Sequence, residues 1–368
     1  MKNLIATILC FFFAIASFLA QPNSPRKIQL VILFDTSNSM DGLIEQAKAR
    51  IWAIVNETSN LRFQGLIPTL EIAVYDYGNT GISTPNWVRQ QTPFTTNLDV
   101  VSEKLFSLRT SGGDEFCGAA IQRSLQDLFW SPDPQDLKLI YIAGNEPFNQ
   151  GPIDFKSVCE TVKSKGIFVN TIYCGDEVQG IREFWKEGAT CSNGDYFSIN
   201  SNDRVQHIST PYDGRIQEQN LKLNATYYGF GSLGTYNLSN QAVQDMNAIT
   251  VSGAVAAERV VVKSKKAAYN NASWDLIDAK NSDSTVLKKI KEEELPKELQ
   301  GKTLAEKEKF IADKAAERAL IQEEIGKLAK EREAYIQAEK AKAVATKDDF
   351  GTAIAKSLKE KAKTIGYE

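Results

Sequence analysis

The segment Asp35-Thr36-Ser37-Asn38-Ser39 constrains this chain more than any other stretch. It follows directly on the apolar run Ile28-Gln29-Leu30-Val31-Ile32-Leu33-Phe34, and the helical spacing Leu43, Ile44, Ala47, Ile51, Ile54, Val55 begins a few residues later. A buried strand, an oxygen-rich turn and an amphipathic helix, in that order, make one unit of an open α/β sheet. The turn then lies at the C-terminal end of a strand, where such sheets bind ligands. Alternate residues of an extended segment point the same way, so the Asp35 carboxylate and the Ser37 and Ser39 hydroxyls converge. Their hard oxygens suit Mg²⁺, or Mn²⁺ or Ca²⁺, better than zinc or copper. A serine-rich turn that caps the next helix is the plainer alternative.

The following 160 or so residues repeat the alternation. Residues 70–77 alternate as a strand, 87–91 fit a short edge strand, and 137–143 and 167–173 are near-continuous apolar runs of the kind buried in parallel sheets. Residues 194–199 are the last strand, and helical patterns occupy 97–108 and 119–129. Strands alternating with helices predict a doubly wound, mostly parallel α/β sheet.

The segment Val31-Ile32-Leu33-Phe34-Asp35-Thr36-Ser37-Asn38-Ser39-Met40 resembles the first strand and metal loop of a von Willebrand factor type A (VWA) domain. The resemblance spans roughly residues 26–210. It implies a Rossmann-like VWA fold and a metal-ion-dependent adhesion site (MIDAS) built from D-x-S-x-S, a threonine on a second loop and an aspartate on a third. The other two loops depart from that pattern. Gly112-Gly113 is followed by Asp114 and Glu115 where the threonine is expected, and Gly144 stands at the aspartate's place, followed by Asn145 and Glu146. In one reading Asp114 supplies the charge missing from the third loop, and Asp35, Ser37, Ser39, Asp114 and Asn145 hold the cation, with Glu115 and Glu146 as further candidates. In the other, metal binding is lost, and Asp114 or Glu115 caps the helix that follows.

The N-terminus pairs Lys2 with an apolar stretch from Leu4 to Ala20, which reads as a secretory signal peptide over residues 1–20 and implies a periplasmic or secreted protein. No later segment is apolar enough to span a bilayer. Beyond the signal lie Cys117, Cys159, Cys174 and Cys191, an even number that permits disulfides with three connectivities. Right-handed crossovers stack successive helices on one face, which favours Cys117–Cys174 and Cys159–Cys191, against the alternative of four buried thiols. A formal net charge of −3 over 368 residues gives no basic excess for nucleic-acid binding.

Past residue 210 the strands stop. Residues 211–285 read as a helical linker region, with one long helix over 241–268 carrying Val243 and Met246. Residues 286–368 read as long charged helices. Thr303-Leu304-Ala305-Glu306 is a capping box opening a helix to about residue 345, with a thin stripe of Ile311, Ala315, Ala319, Ile325, Leu328 and Ile336. Such a stripe predicts a hairpin or coiled-coil arm, free to self-associate or to fold back.

The expected function is an exported protein-binding module with a divalent-cation site, engaging an unknown partner through an acidic side chain, and no catalysis. A scaffold without metal is the alternative, and a metal-assisted hydrolase a more distant one. The single histidine, His207, lies outside every motif, which disfavours a histidine triad or zinc centre.

Overall fold

A computed structural model describes residues 26–41, 54–199, 208–266, 268–342 and 350–368. The signal segment, most of the helix spacing after Ser39 and His207 fall outside the described residues. Six strands form one sheet: β1 (Lys27–Asp35), β2 (Thr69–Tyr77), β3 (Val88–Thr95), β4 (Leu137–Gly144), β5 (Ile167–Tyr173) and β6 (Tyr196–Ser198). Their order is β3-β2-β1-β4-β5-β6, with β3 antiparallel to β2 and every other pair parallel. The doubly wound class expected from the sequence is therefore the observed one. Val31 pairs in register with Ala73 on one side and Ile140 on the other.

Strand alternation splits the sheet residues between two cores. Val31 and Leu33 face a core closed by α2 (Cys117–Asp127), α3 (Phe155–Ser164) and the short helices α4 (Glu177–Arg182) and α5 (Trp185–Thr190). Ile28, Leu30, Ile32 and Phe34 face the opposite core, closed by α1 (Leu98–Ser107) and by helices from beyond residue 210. These are α6 (Asp213–Asn224), α7 (Gly231–Val251), α8 (Gly253–Lys263), α10 (Leu304–Lys342) and α11 (Phe350–Thr364), while α9 (Leu276–Ser282) packs with Leu287, Leu299 and Ile311 in a separate cluster.

Ile321, Ile325 and Leu328 of α10, with Ile354 and Leu358 of α11, share one buried cluster with β1. Of the expected stripe, Ile311 and Ala315 pack in a separate cluster and Ala319 is exposed, while its Ile325–Leu328 part is folded back onto the sheet side of the molecule. It is widened by Arg318 and Arg332, both buried on ion pairs to Asp275 and Asp213. The capping box forms, with the Thr303 amide donating to Glu306 Oε2 at 2.7 Å. At the chain's end the Tyr367 hydroxyl donates to the Lys27 carbonyl at 2.9 Å, and Glu368 and Arg62 exchange backbone hydrogen bonds of 2.7 and 2.8 Å.

Three details differ from the sequence-based expectations. The helix expected over 241–268 starts earlier and is two helices, broken at the extended Ser252, whose hydroxyl accepts from the Val255 amide and caps α8. Helix α7 is inverted: Asn237, Asn240, Gln241, Gln244 and Asp245 are buried, and Leu233, Tyr236, Val243 and Met246 are exposed. Cys159 and Cys191 form a disulfide linking α3 to the end of α5, but Cys117 and Cys174 do not pair. Cys117 packs in the core of Val31 and Leu33 and Cys174 in the core of Ile28 and Leu30, so the sheet itself stands between them.

Candidate functional site

Strand β1 is the switch point of the sheet, with β2 on one side and β4 on the other. A crevice opens at the C-terminal ends of strands at such a point, and Asp35 is the last residue of β1. The Thr36 amide continues the sheet by donating to the Tyr77 carbonyl at 2.9 Å. The chain then turns through a short 3₁₀ helix, Asn38–Met40, anchored by the fully buried Met40. This turn points Ser37 and Ser39 back toward Asp35. The Ser37 amide donates to Asp35 Oδ1 at 2.8 Å, and the two serine hydroxyls lie 2.8 Å apart.

The other loops complete the cluster. Ser39 Oγ lies 3.0 Å from Asn145 Oδ1 and 3.4 Å from Glu115 Oε1. Glu115, not Asp114, is the second loop's inward carboxylate: Glu115 is 4% exposed, whereas Asp114 faces solvent. Adjacent residues of an extended loop face opposite ways, so one of the two must turn out. Gly78, at φ +75°, makes the room. A Cβ there would stand 2.7 Å from Glu115 Cγ and 2.9 Å from Asp35 Oδ1. Gly144, at the end of β4, likewise backs onto Asp35, where a Cβ would lie 3.2 Å from the Asp35 Cβ. Glu146 stands beside the cluster; its side chain accepts from Gln150 at 3.2 Å and its carbonyl from the Trp185 indole at 2.8 Å.

Sequence reasoning missed Gly78 and Asn79. Asn79 Nδ2 donates to the Thr36 carbonyl at 3.3 Å and the Arg109 carbonyl at 2.9 Å, which ties three loops together. A Tyr-Gly-Asn turn just past an alternating strand was the available signal.

The electrostatics of the cluster are unusual. Burial drives the Asp35 carboxyl well above its ordinary range, and the Glu115 carboxyl beside it pushes it further. Burial also raises Glu115, while the neighbouring Asp35, Ser37 and Ser39 side chains hold it down and the Glu146 charge adds to the rise. Asp35 Oδ2 and Glu115 Oε2 are both buried without a hydrogen-bond partner among the described residues. A buried oxygen left so costs about 1–3 kcal/mol, and more when charged. The arrangement fits a hard cation: two carboxylates for charge, and Ser37, Ser39 and Asn145 for neutral oxygens. Among the described residues no group of three or more His, Cys, Asp and Glu side chains converges. The donor set is therefore oxygen-rich with only two charges. The Cys117 thiol nearby is held up by burial and donates to or accepts from the Tyr77 hydroxyl at 3.6 Å, so it is a packing group and not a nucleophile.

No family model matches this chain, and no curated protein does. Its α/β half is similar to VWA domains of known structure. It is similar to BatB from Bacteroides thetaiotaomicron, a conserved hypothetical protein, at 18% identity over 47% of this chain and 90% of that one, with a TM-score of 0.35. The VWA domain of SpRpn10 is similar at 14% identity over 48% and 90%, with a TM-score of 0.38. Proximal thread matrix protein 1 from the mussel byssus, with a zinc-occupied MIDAS motif, is similar at 12% identity over 49% of this chain and 43% of that one, with a TM-score of 0.37. Likenesses this weak carry no argument about the site, whose reading rests on its own geometry.

Proposed function

We propose that this chain is a protein-binding module whose contact surface is organised by a divalent cation, Mg²⁺, held between Asp35 and Glu115. Ser37, Ser39 and Asn145 would supply the neutral oxygens. Asp114 is the weaker candidate, because its side chain faces solvent. The observation that carries this reading is that Asp35 Oδ2 and Glu115 Oε2, on carboxylates that lie side by side, are both buried without a hydrogen-bond partner among the described residues. A cation bound there supplies a positive charge that no side chain among the described residues is seen to provide. Ser39 and Asn145 lie at the solvent side of the cluster, where a partner could add a ligand. Residues 26–210 would carry this surface, and the helices beyond would stiffen its back. An exported setting suits the Cys159–Cys191 disulfide, which persists in oxidising compartments. Among the described residues no helix is long and apolar enough to cross a membrane.

A scaffold reading has one observation in its favour. The raised Asp35 and Glu115 carboxyls could share a proton in place of a cation. Calorimetric titration of Mg²⁺ at pH 7.5 into wild type, Asp35→Ala and Glu115→Gln separates the two. Heat in wild type that both variants lose supports the cation site; identical traces in all three leave the shared proton standing.

A further inference from the structure

Helix α7 turns its apolar side to water. Leu233, Tyr236, Val243, Met246 and Ile249 on its outer side are each 45–57% exposed, while its polar side is buried. A surface helix ordinarily sets such residues against the core, and a contiguous apolar face left in water marks an interaction surface. This face also carries no charge, although 24% of the chain is charged. Asp245 is the one charged residue of the helix, and it is turned inward onto Arg259 and Lys263.

Two observations choose the occupant. The first is charge. Helix α1 brings Glu103 to the rim of the face, where it accepts from the Tyr236 hydroxyl at 2.6 Å and the Asn240 side-chain amide at 3.0 Å. An acid at the rim, and no Lys or Arg on the outer side of α7, do not suit an anionic lipid surface, which takes helices with basic flanks. A charged partner segment would lose its hydration here and find no counter-charge. The matching surface is therefore itself uncharged and apolar. The second is self-complementarity. Ser239 and Ala242 are exposed at the middle of the face and small enough to let another helix approach, and the larger residues lie toward both ends. An antiparallel crossing about a two-fold axis between Ser239 and Val243 sets Met246 of one copy against Tyr236 of the other, and Ile249 against Leu233. Each contact then occurs twice, the first as a thioether–aromatic pair. Glu103 already fixes Tyr236, so that ring enters the contact at little further cost in side-chain freedom. Two helices of 21 residues, paired with their rims, cover on the order of 1,200 Å², where specific interfaces begin.

We infer that α7 is the interface of a homodimer, in which two copies of this chain pair antiparallel across their outer α7 faces. The inference stands independently of the cation site.

The test takes the chain expressed from its own Met1 and purified from the soluble fraction, with its mass read by light scattering from about 1 to 100 µM. Wild type is expected to reach the mass of two chains. Met246→Glu sets a carboxylate from each copy into an apolar contact. It should raise the dissociation constant about 100-fold or more and leave the mass of one chain. Leu320→Glu, at an exposed apolar position of α10, should leave the dimer intact. Ile249→Glu and Leu233→Lys, each a single chain alone, should pair when mixed in equal amounts. All four positions are exposed, so urea midpoints of dilute samples should match wild type. Wild type that remains a single chain at the highest concentration overturns the inference. So does a dimer that Met246→Glu leaves intact or that Leu320→Glu alone breaks, because pairing then belongs to another surface. No recovery in the mixed sample overturns the antiparallel pairing.

Discussion

Among the buried carboxylates of this molecule, the fold treats two pairs in opposite ways. Asp99 of α1 and Asp245 of α7 sit under the helical back of the sheet and are matched by Arg259 and Lys263 of α8. Arg259 Nη2 donates to Asp99 at 2.6 Å and its Nε to Asp245 at 2.8 Å, and Lys263 Nζ donates to both Asp245 oxygens at 2.8 and 3.0 Å. Asn220 and Asn224 bond the Asp245 carboxylate and the Lys263 ammonium together, and the Tyr269 hydroxyl donates to Asp99. Charge is balanced within the protein and the oxygens are satisfied. Asp35 and Glu115 are as deeply buried and face each other, and among the described residues no cationic side chain pairs with either. Burying unbalanced charge is costly, and this chain has the means to balance it. Leaving one pair open is what a site completed from outside, by a cation or a proton, would require.

The sharpest contrast comes from breaking the balanced cluster. Burial alone would raise Asp245, but Lys263 and Arg259 hold its carboxyl well below the usual range. Asp245→Ala leaves two buried cations facing one carboxylate. It should cost about 3–5 kcal/mol in urea unfolding. A loss under about 1 kcal/mol would show that water compensates the cluster and would remove the basis for the comparison.

The next effect belongs to the open pair. Mg²⁺ at a hundred times its Kd should stabilise the wild type by about 2.7 kcal/mol. The gain should vanish in Glu115→Gln and persist in Asp114→Asn. The reverse pattern would return the charge to Asp114, where the sequence placed it.

The inward turn of Glu115 shows what the sequence could and could not say. The β1 run and its D-x-S-x-S turn were legible because a continuous apolar strand and a period-2 oxygen pattern each have one structural solution. Whether Asp114 or Glu115 turned inward was not, because the choice depends on the space that Gly78 leaves on a different loop. Which face of α7 is buried was not legible for a related reason. Periodicity says which residues share a face but not which face is inside, and here the Asp99–Arg259–Lys263 cluster draws in the polar one. The stripe of α10 looks thin in the sequence because the ion-paired Arg318 and Arg332, which complete it, count as polar in a hydropathy pattern.

The balanced cluster also titrates. Burial lowers Lys263 to about 8 from 10.5, with Asp245 opposing the shift. A lysine depressed in the folded state favours folding fully above its unfolded value, and that contribution is lost as pH falls through about 8. Between these values the unfolded chain binds more protons, so stability should rise with pH by at most about 1.4 kcal/mol per unit. Urea midpoints at pH 8.5 and 9.5 should show the rise in wild type and not in Lys263→Met. A flat wild-type profile would mean that the ammonium is solvated and the cluster less closed than its hydrogen bonds imply.

The smallest effect is the most diagnostic, because its sign runs against ordinary experience of buried substitutions. Most replacements at a fully buried polar position destabilise a protein. Asp35→Asn, in EDTA at pH 7, should instead stabilise it by about 1 kcal/mol. The amide removes one of two facing charges whose burial raises both carboxyls, and it keeps an oxygen to accept from the Ser37 amide while its NH₂ can donate to Glu115. In saturating Mg²⁺ the order should invert, because wild type gains a cation that the variant binds poorly. The equivalent exchange in the balanced cluster, Asp99→Asn, strips Arg259 of a charge partner and should destabilise under both conditions. If Asp35→Asn were destabilising in EDTA as well, the open pair would already be satisfied by a shared proton, and the two clusters would differ in chemistry but not in purpose.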